Sequence, residues 1–375
     1  MGWLVIGLIA CLSLFGARPA QANTVADGSA AHTASGRVAP IASITDETVP
    51  FPANVPNPLP VGVALRLNGV SRIAEKSGTF DGDFDLQLRW RDPGLAFDAK
   101  ANGTDRQEYG GDEAADKLAT IWTPAVVVDN LSDKTIQGEP GLFIFSDGSV
   151  VYTQRYKTTF DASFKLGAFP FDTQALPVHL LSSLYSVNQI SFVQEQRDVN
   201  ASGIKDGIKS SGWKVKRLDF LGSRLRAWNG EFVPEIEARI ILSRVPFAHV
   251  LGIFTPFVLI LLVPTVFTLY TKEGIGPRLT AWSGSIFALI ALNFTLSSRY
   301  PNLDSESLVS QVLSTGYAYQ LIMVTLNVTL FNPAIAERLA NRFVIQEIQA
   351  FLRWGMPVGL FAFLLTRTML TALSW

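Results

Sequence analysis

From position 61 to about 243 the chain alternates apolar and polar residues with a period of two. Phe84, Leu86, Leu88 and Trp90 interleave with Asp85, Gln87 and Arg89, and Val61-Gly-Val-Ala-Leu-Arg-Leu67 follows a similar rhythm. Successive side chains of a strand point to opposite faces, so each run predicts a strand with one buried side. Runs at Ser149–Tyr156, Ala175–Leu181, Trp213–Phe220 and Ile236–Leu242 add further strands, and Ser146-Asp147-Gly148 predicts a hairpin turn. Many short strands without a long helical pattern predict an all-β sandwich over 61–245.

After 246 the pattern changes to long apolar runs at 247–270, 276–298, 308–331 and 354–373. At ~1.5 Å per residue each is long enough to cross a bilayer. The first and third carry no charge, and the fourth carries only Arg367 near its end. The second is a poor lipid helix, because Thr280, Ser283, Gly284, Ser285, Asn293, Thr295, Ser297 and Ser298 are polar or small. Polar atoms facing hydrocarbon are unfavourable, so this helix needs protein or water around it. At helical spacing Thr280, Gly284, Phe287, Ala291, Phe294 and Ser298 share one face. A ring of such helices makes a narrow wet pore with a hydrophobic constriction; a helix packed among others through small residues is the competing reading. Pro256 and Pro264 lie inside the first run, and each removes a backbone donor unless a neighbour satisfies the freed carbonyl.

Composition sharpens this picture. With 375 residues, 48% hydrophobic and 17% charged, the chain is too apolar for an ordinary soluble protein and too polar for a pure membrane bundle. A net charge of −1 gives no basic footprint, so no nucleic-acid partner is expected. Residues 1–22 read as a secretory signal ending in Ala20-Gln21-Ala22, and 23–60 as a flexible leader. The single cysteine, Cys11, falls in the signal, so disulfides and thiolate metal sites are not expected. Lys272, Arg278, Arg338, Arg342 and Arg353 lie on one side of the spans. Positive charge marks the cytoplasmic side, which predicts a multi-pass protein of the cell membrane (the inner one in a Gram-negative cell). The β domain and the carboxyl terminus then lie outside the cytoplasm. No nucleophile elbow, H-E-x-x-H or Gly-rich phosphate loop occurs, and His32, His179 and His249 are far apart, so neither enzyme chemistry, metal nor cofactor is expected.

Phe169-Pro170-Phe171-Asp172-Thr173-Gln174 resembles the FPFD-x-Q loop of pentameric ligand-gated ion channels, the Cys-loop receptor superfamily. Trp90-Arg-Asp92-Pro-Gly-Leu95 resembles the family's W-x-D-x-R-L strand, with Gly94 in place of Arg. Trp122-Thr-Pro124-Ala-Val-Val-Val-Asp-Asn130 resembles W-x-P-D-x-x-x-x-N, with Ala125 in place of Asp. Arg244 stands where the family keeps a basic residue before the first helix, and Pro256 matches the first-helix proline. The loop that a disulfide closes in animal members here has Ala162 and Leu176, so the chain looks like a prokaryotic, cysteine-free member.

The resemblance implies an all-β extracellular sandwich above a four-helix transmembrane bundle, in a homopentamer around a central pore lined by the second helix. It implies an unidentified small-molecule agonist, permeant inorganic ions and a surrounding lipid bilayer as partners. Pore-lining residues would be Thr280, Gly284, Phe287, Ala291, Phe294 and Ser298. Tyr185, Trp228, Phe232, Arg224 and Arg226 would lie at the agonist site. Glu75, Lys76, Phe169, Pro170, Phe171, Asp172, Arg244 and Pro301 would couple the two domains. Next to Arg278 no carboxylate follows the usual cation-selective arrangement, which leans selectivity toward anions or toward little preference. A non-conducting membrane receptor or sensor with an exported β domain is the alternative.

Overall fold

The structure is a computed structural model that describes residues 49–133, 138–208, 210, 212–271, 274–300, 307–332, 335, 336, 338 and 341–374. The expected signal 1–22, the leader up to 48, and Pro301 lie outside the described residues.

Among these residues eleven strands run in chain order as β1 (Leu59–Ala74), β2 (Thr79–Arg91), β3 (Arg106–Gly110), β4 (Val126–Val128), β5 (Gly141–Phe145), β6 (Ser149–Asp161), β7 (Thr173–Ser182), β8 (Ile190–Val193), β9 (Gly203–Ile204), β10 (Trp213–Arg226) and β11 (Phe232–Arg244). One sheet has the order β3-β5-β6-β2-β1-β8 with β9 on β1; the other has the order β10-β11-β7-β4. Both β2 and β11 alternate buried and part-exposed residues along most of their length, as the period of two requires. Their inward residues meet in one core with Trp90, Trp122, Tyr156 and Phe160. Phe80 pairs with Phe160 and Phe84 with Tyr156 across β2 and β6, and each pair stacks with ring centroids 5.3 Å apart. Such cross-strand aromatic pairs contribute roughly 0.5–1.5 kcal/mol beyond their buried area. The Ser146–Gly148 turn closes β5 onto β6, with Gly148 at φ +80 and the Asp147 carboxylate accepting from Ser149 N at 2.9 Å. That backbone hydrogen bond holds the Asp147 carboxyl below the usual carboxylate range.

Two features of this domain do not show in the alternation. A helix, α1 (Gly111–Thr120), sits in a domain whose pattern shows only strands. It buries just Ala114 and Leu118, four residues apart, which is too few apolar positions to register as a helical period. The end of the expected leader 23–60 is also built into the fold. Phe51 packs edge-on to Trp122 at 5.1 Å and to Tyr185 at 5.9 Å, and β1 already begins at Leu59. Phe51, with Val49 and Val55 packed on the same core, anchors this stretch.

Four long helices follow: α2 (Phe247–Tyr270), α3 (Ile275–Arg299), α4 (Leu308–Thr329) and α5 (Arg342–Ser374). The described residues contain three helices long and apolar enough to cross a membrane: α2, α3 and the Arg342–Thr366 part of α5. The helix α4 has 22 residues but carries Gln320 and Asn327, which are buried in the bundle. Their amide nitrogens donate to Ser285 Oγ at 2.8 Å and to Met323 O at 2.9 Å, so these donors are spent on protein. Near its start α2 contains a π-helical turn, Val250–Phe254, just ahead of Pro256.

Gly316 sets the spacing of α2, α3 and α4. A Cβ there would stand 2.6 Å from the Phe257 ring and 3.2 Å from a Leu289 methyl. Small residues let membrane helices approach this closely. Gly316→Ala is expected to destabilise the bundle by about 1–3 kcal/mol, read as a lowered Tm of the detergent-solubilised protein. An unchanged Tm would show that Phe257 swings aside freely.

Candidate functional site

Inward-facing positions on β11 are even-numbered, so the strand's last residue, Arg244, turns into the protein rather than toward solvent. Its side chain is 2% exposed, as is that of Asp172. The guanidinium grips Asp172 through Nε at 2.6 Å and Nη2 at 3.0 Å, and Nη1 donates to Glu75 at 2.6 Å. It also lies over the rings of Trp213 at 4.1 Å and Phe169 at 4.7 Å. Burial works against the charged guanidinium, but the hydrogen bonds and charges of Asp172 and Glu75 outweigh it and hold the Arg244 pKa above its usual value. This packing joins the β1–β2 turn, the Phe169–Gln174 loop and the last strand.

Gln174 clips that loop shut. Its amide accepts from Lys165 N at 3.1 Å and donates to Lys165 O at 2.7 Å and to Asp172 Oδ2 at 2.6 Å. In a loop with no cysteine pair, these bonds fix the position of Asp172. Pro170 is buried, and its peptide bond with Phe169 is cis. Phe169 is fully buried and enters the helical core, with its ring 4.7 Å from Tyr300 and 5.3 Å from His249. Leu308 N donates to Gly167 O at 3.2 Å, so the loop touches the ends of α3 and α4 and the start of α2. Phe171 packs half-buried on the same core, while Lys76 stays exposed on the β1–β2 turn.

The second group lies along α3. Thr280, Gly284, Phe287, Ala291, Phe294 and Ser298 are all exposed in the single subunit. The opposite face, with Trp282, Ser285, Leu289 and Leu296, is buried against the other helices. Phe287 is 72% and Phe294 74% exposed. Arg278 does not join this stripe; it is buried and donates to Thr271 O at 2.7 Å.

The third group is dispersed. Trp228, at the tip of the β10–β11 hairpin, is 100% exposed. Arg224 lies 5.1 Å over the Phe232 ring, and Arg226 pairs with Phe232 in the strand register. Tyr185 packs instead against Trp122 at 5.3 Å, and its burial pushes the phenol pKa up. Among the described residues no ring contact joins Tyr185 to Trp228 or Phe232; Val187 N donating to Phe232 O at 2.8 Å is the tie between the Tyr185 loop and the hairpin.

Sequence pattern does not single out Trp213, Gln174 or Tyr300 as members of the charge cluster and its plug. Gln174 stands inside a recognisable motif, and Trp213 opens a predicted strand, but pairings across such separations leave no local trace. A cavity of about 550 Å³ between β1, β2, β6 and the Lys205–Ile208 loop is equally invisible in the sequence, because its walls come from distant segments.

The architecture defines a class: a β-sandwich seated through a buried charge cluster on a helical membrane bundle. Residues 46–246, more than half of the chain, match the family described as neurotransmitter-gated ion-channel ligand binding domain, and the chain belongs to that family. The family is one of ligand-gated ion channels, not of enzymes. Among known proteins it is similar to a proton-gated ion channel of Gloeobacter violaceus, 21% identical over 280 residues that cover 74% of this chain and 75% of that protein. It is 21% identical to an acetylcholine receptor subunit beta of Xenopus laevis over 74% of this chain and 56% of that subunit. A glycine receptor subunit beta of Rattus norvegicus is 22% identical over 75% of this chain and 57% of that subunit. The chain thus spans little more than half the length of the two animal relatives.

Proposed function

We propose that five copies of this chain form a ligand-gated ion channel, with agonist binding at extracellular subunit interfaces opening a pore lined by α3. The observation that carries this reading is the two-sidedness of α3. One face is packed by the subunit's own helices, while the stripe from Thr280 to Ser298 is left uncovered. That stripe mixes hydroxyls, a glycine and two phenylalanines. It suits neither lipid, which rejects its hydroxyls, nor bulk water, which rejects its rings. A symmetric ring gives it both a shared wet axis and apolar constrictions.

In this reading 1–22 is removed on export, the leader that follows ends before Phe51 joins the sandwich, the extracellular domain runs from there to 245, and 246–375 is the membrane domain. The sandwich and the carboxyl terminus lie outside the cytoplasm. The Arg244–Asp172–Glu75 cluster and the Phe169 plug transmit movement of the sandwich to the helix ends. The agonist would meet the β10–β11 hairpin, where Trp228 and Phe232 are exposed beside Arg224 and Arg226. The relatives are named for protons, acetylcholine and glycine, which sets the range of compounds to try. Between Leu279 and Ser298 there is no charged residue, so charge selection belongs to the mouths of the pore.

The test is conductance of the purified protein in planar bilayers during a screen of protons and small amines and amino acids. Unitary currents that depend on one of these compounds are expected. A folded, ligand-binding protein that never conducts would replace the channel with a non-conducting receptor.

A further inference from the structure

We propose that Pro264, Ser285 and Gln320 form a rotational lock on α3. In this lock a carbonyl freed by a proline in one helix is the fixed acceptor that orients the next. The lock rests on contacts within one subunit; its consequence for conduction rests on the channel reading above.

Proline has no N–H, so Pro264 leaves the carbonyl of Ile260, four residues earlier, without its helical donor. Inside a membrane bundle no water is at hand to satisfy it. The donor comes from the neighbouring helix: Ser285 Oγ lies 2.7 Å from Ile260 O. Gln320 Nε2 of α4 then donates to Ser285 Oγ at 2.8 Å. A hydroxyl has one proton and two acceptor lone pairs. With the amide donating to it, the Ser285 proton is committed to Ile260 O. Both side chains are buried, Ser285 at 7% and Gln320 at 2% exposure.

Other hydroxyls of α3 behave differently. Thr280, Ser283 and Thr295 donate to the carbonyls of Gly276, Leu279 and Ala291 in their own helix. Such bonds survive any rotation of the helix as a body. The Ser285 bond does not, because its acceptor belongs to α2. Ser285 lies on the side of α3 away from the exposed stripe, so turning the stripe draws this hydroxyl off Ile260 O. Trp282, three residues earlier on the same side, donates from Nε1 to Thr268 Oγ1 at 2.8 Å. That bond is a second tie from α3 to α2, so loss of Ser285 loosens the rotation without releasing the helix. Ser285 is therefore a positioning residue for the pore-facing side chains, and Pro264 is the reason it is needed.

The experiment uses the full chain in a Cys11→Ser background, reconstituted in liposomes. Two reporter proteins carry either Ala291→Cys, at an exposed position, or Ala288→Cys, at a half-buried one. The ratio of their modification rates by a cationic methanethiosulfonate reports how α3 is turned. Ser285→Ala should lower the 291:288 ratio about fivefold, whereas Ser285→Thr, which keeps a hydroxyl, should preserve it. In a Pro264→Ala background the N–H is restored, so Ser285→Ala should change the ratio by less than about twofold. The proposal is overturned if Ser285→Ala leaves the ratio unchanged, or acts equally with and without Pro264. If the Ala291→Cys reporter is folded but unreactive, the aqueous pore fails rather than the lock. The lock is then decided by unfolding in detergent, where Ser285→Ala should lower Tm by ~2–4 °C with Pro264 present and hardly at all without it. Equal Tm shifts in both backgrounds overturn it there too.

Discussion

Arg244→Ala is expected to abolish assembly of the folded protein. The substitution removes the guanidinium that bridges Asp172 and Glu75 and leaves Asp172, only 2% exposed, in a site built for an ion pair. Removing one member of a buried pair typically destabilises by about 3–5 kcal/mol, because the remaining charge keeps its desolvation penalty. At 2% exposure for Arg244 and 12% for Glu75, solvent screening gives little relief. The stacking of the guanidinium on Trp213 and Phe169 is lost as well. Arg244→Lys keeps the charge but neither the two-pronged grip on Asp172 nor the planar stack, so it is expected to fall between wild type and alanine. Fluorescence-detected gel filtration and thermal unfolding in detergent check both. An Arg244→Ala protein that elutes normally with an unchanged Tm would show that the cluster is dispensable for holding the domains together.

Where side chains pair locally, the sequence announces the structure. The alternation in β2 and the Asp147-Gly148 turn are contained within a few residues of chain, and period and turn chemistry make them readable. The polar stripe of α3 is readable for the same reason, since helical spacing alone puts Thr280 and Phe294 on one side. The contact from Arg244 to Glu75 spans 169 positions, and only the family resemblance brings both residues into view. The Ser285 hydroxyl lies in plain sight among eight small or polar residues of its helix. Nothing in its neighbours marks it as the one aimed at Ile260, because that acceptor exists only through Pro264 on another helix. The third apolar run hides its polar contacts: Gln320 and Asn327 are turned into the bundle, where they serve as partners for α3 and α2. The agonist site is the least legible. Sequence groups Tyr185 with Trp228, but Phe51 and Trp122 cover the tyrosine while the tryptophan stands free at the hairpin tip.

Phe294→Ala is expected to raise resting ion flux by roughly tenfold, with Phe287→Ala acting in the same direction. A narrow apolar ring closes a pore by expelling water rather than by filling it, so widening the ring or making it polar lets water and ions back in. In a symmetric assembly one substitution alters five side chains at one level, which makes the effect large. Phe294→Leu should stay near wild type and Phe294→Ser should exceed alanine, because wetting depends on both width and polarity. Influx of thallium and of iodide into proteoliposomes measures this without an agonist, and their ratio reports charge preference. The rival account has these rings packing against a neighbouring subunit. At 72% and 74% exposure in the single chain, neither ring is covered by its own subunit, so both accounts start from the same observation. The two separate by sign. If the rings are packing groups, Phe294→Ala weakens subunit association, and flux falls with the loss of pentamer on gel filtration. If they are constrictions, flux rises while the assembly elutes unchanged.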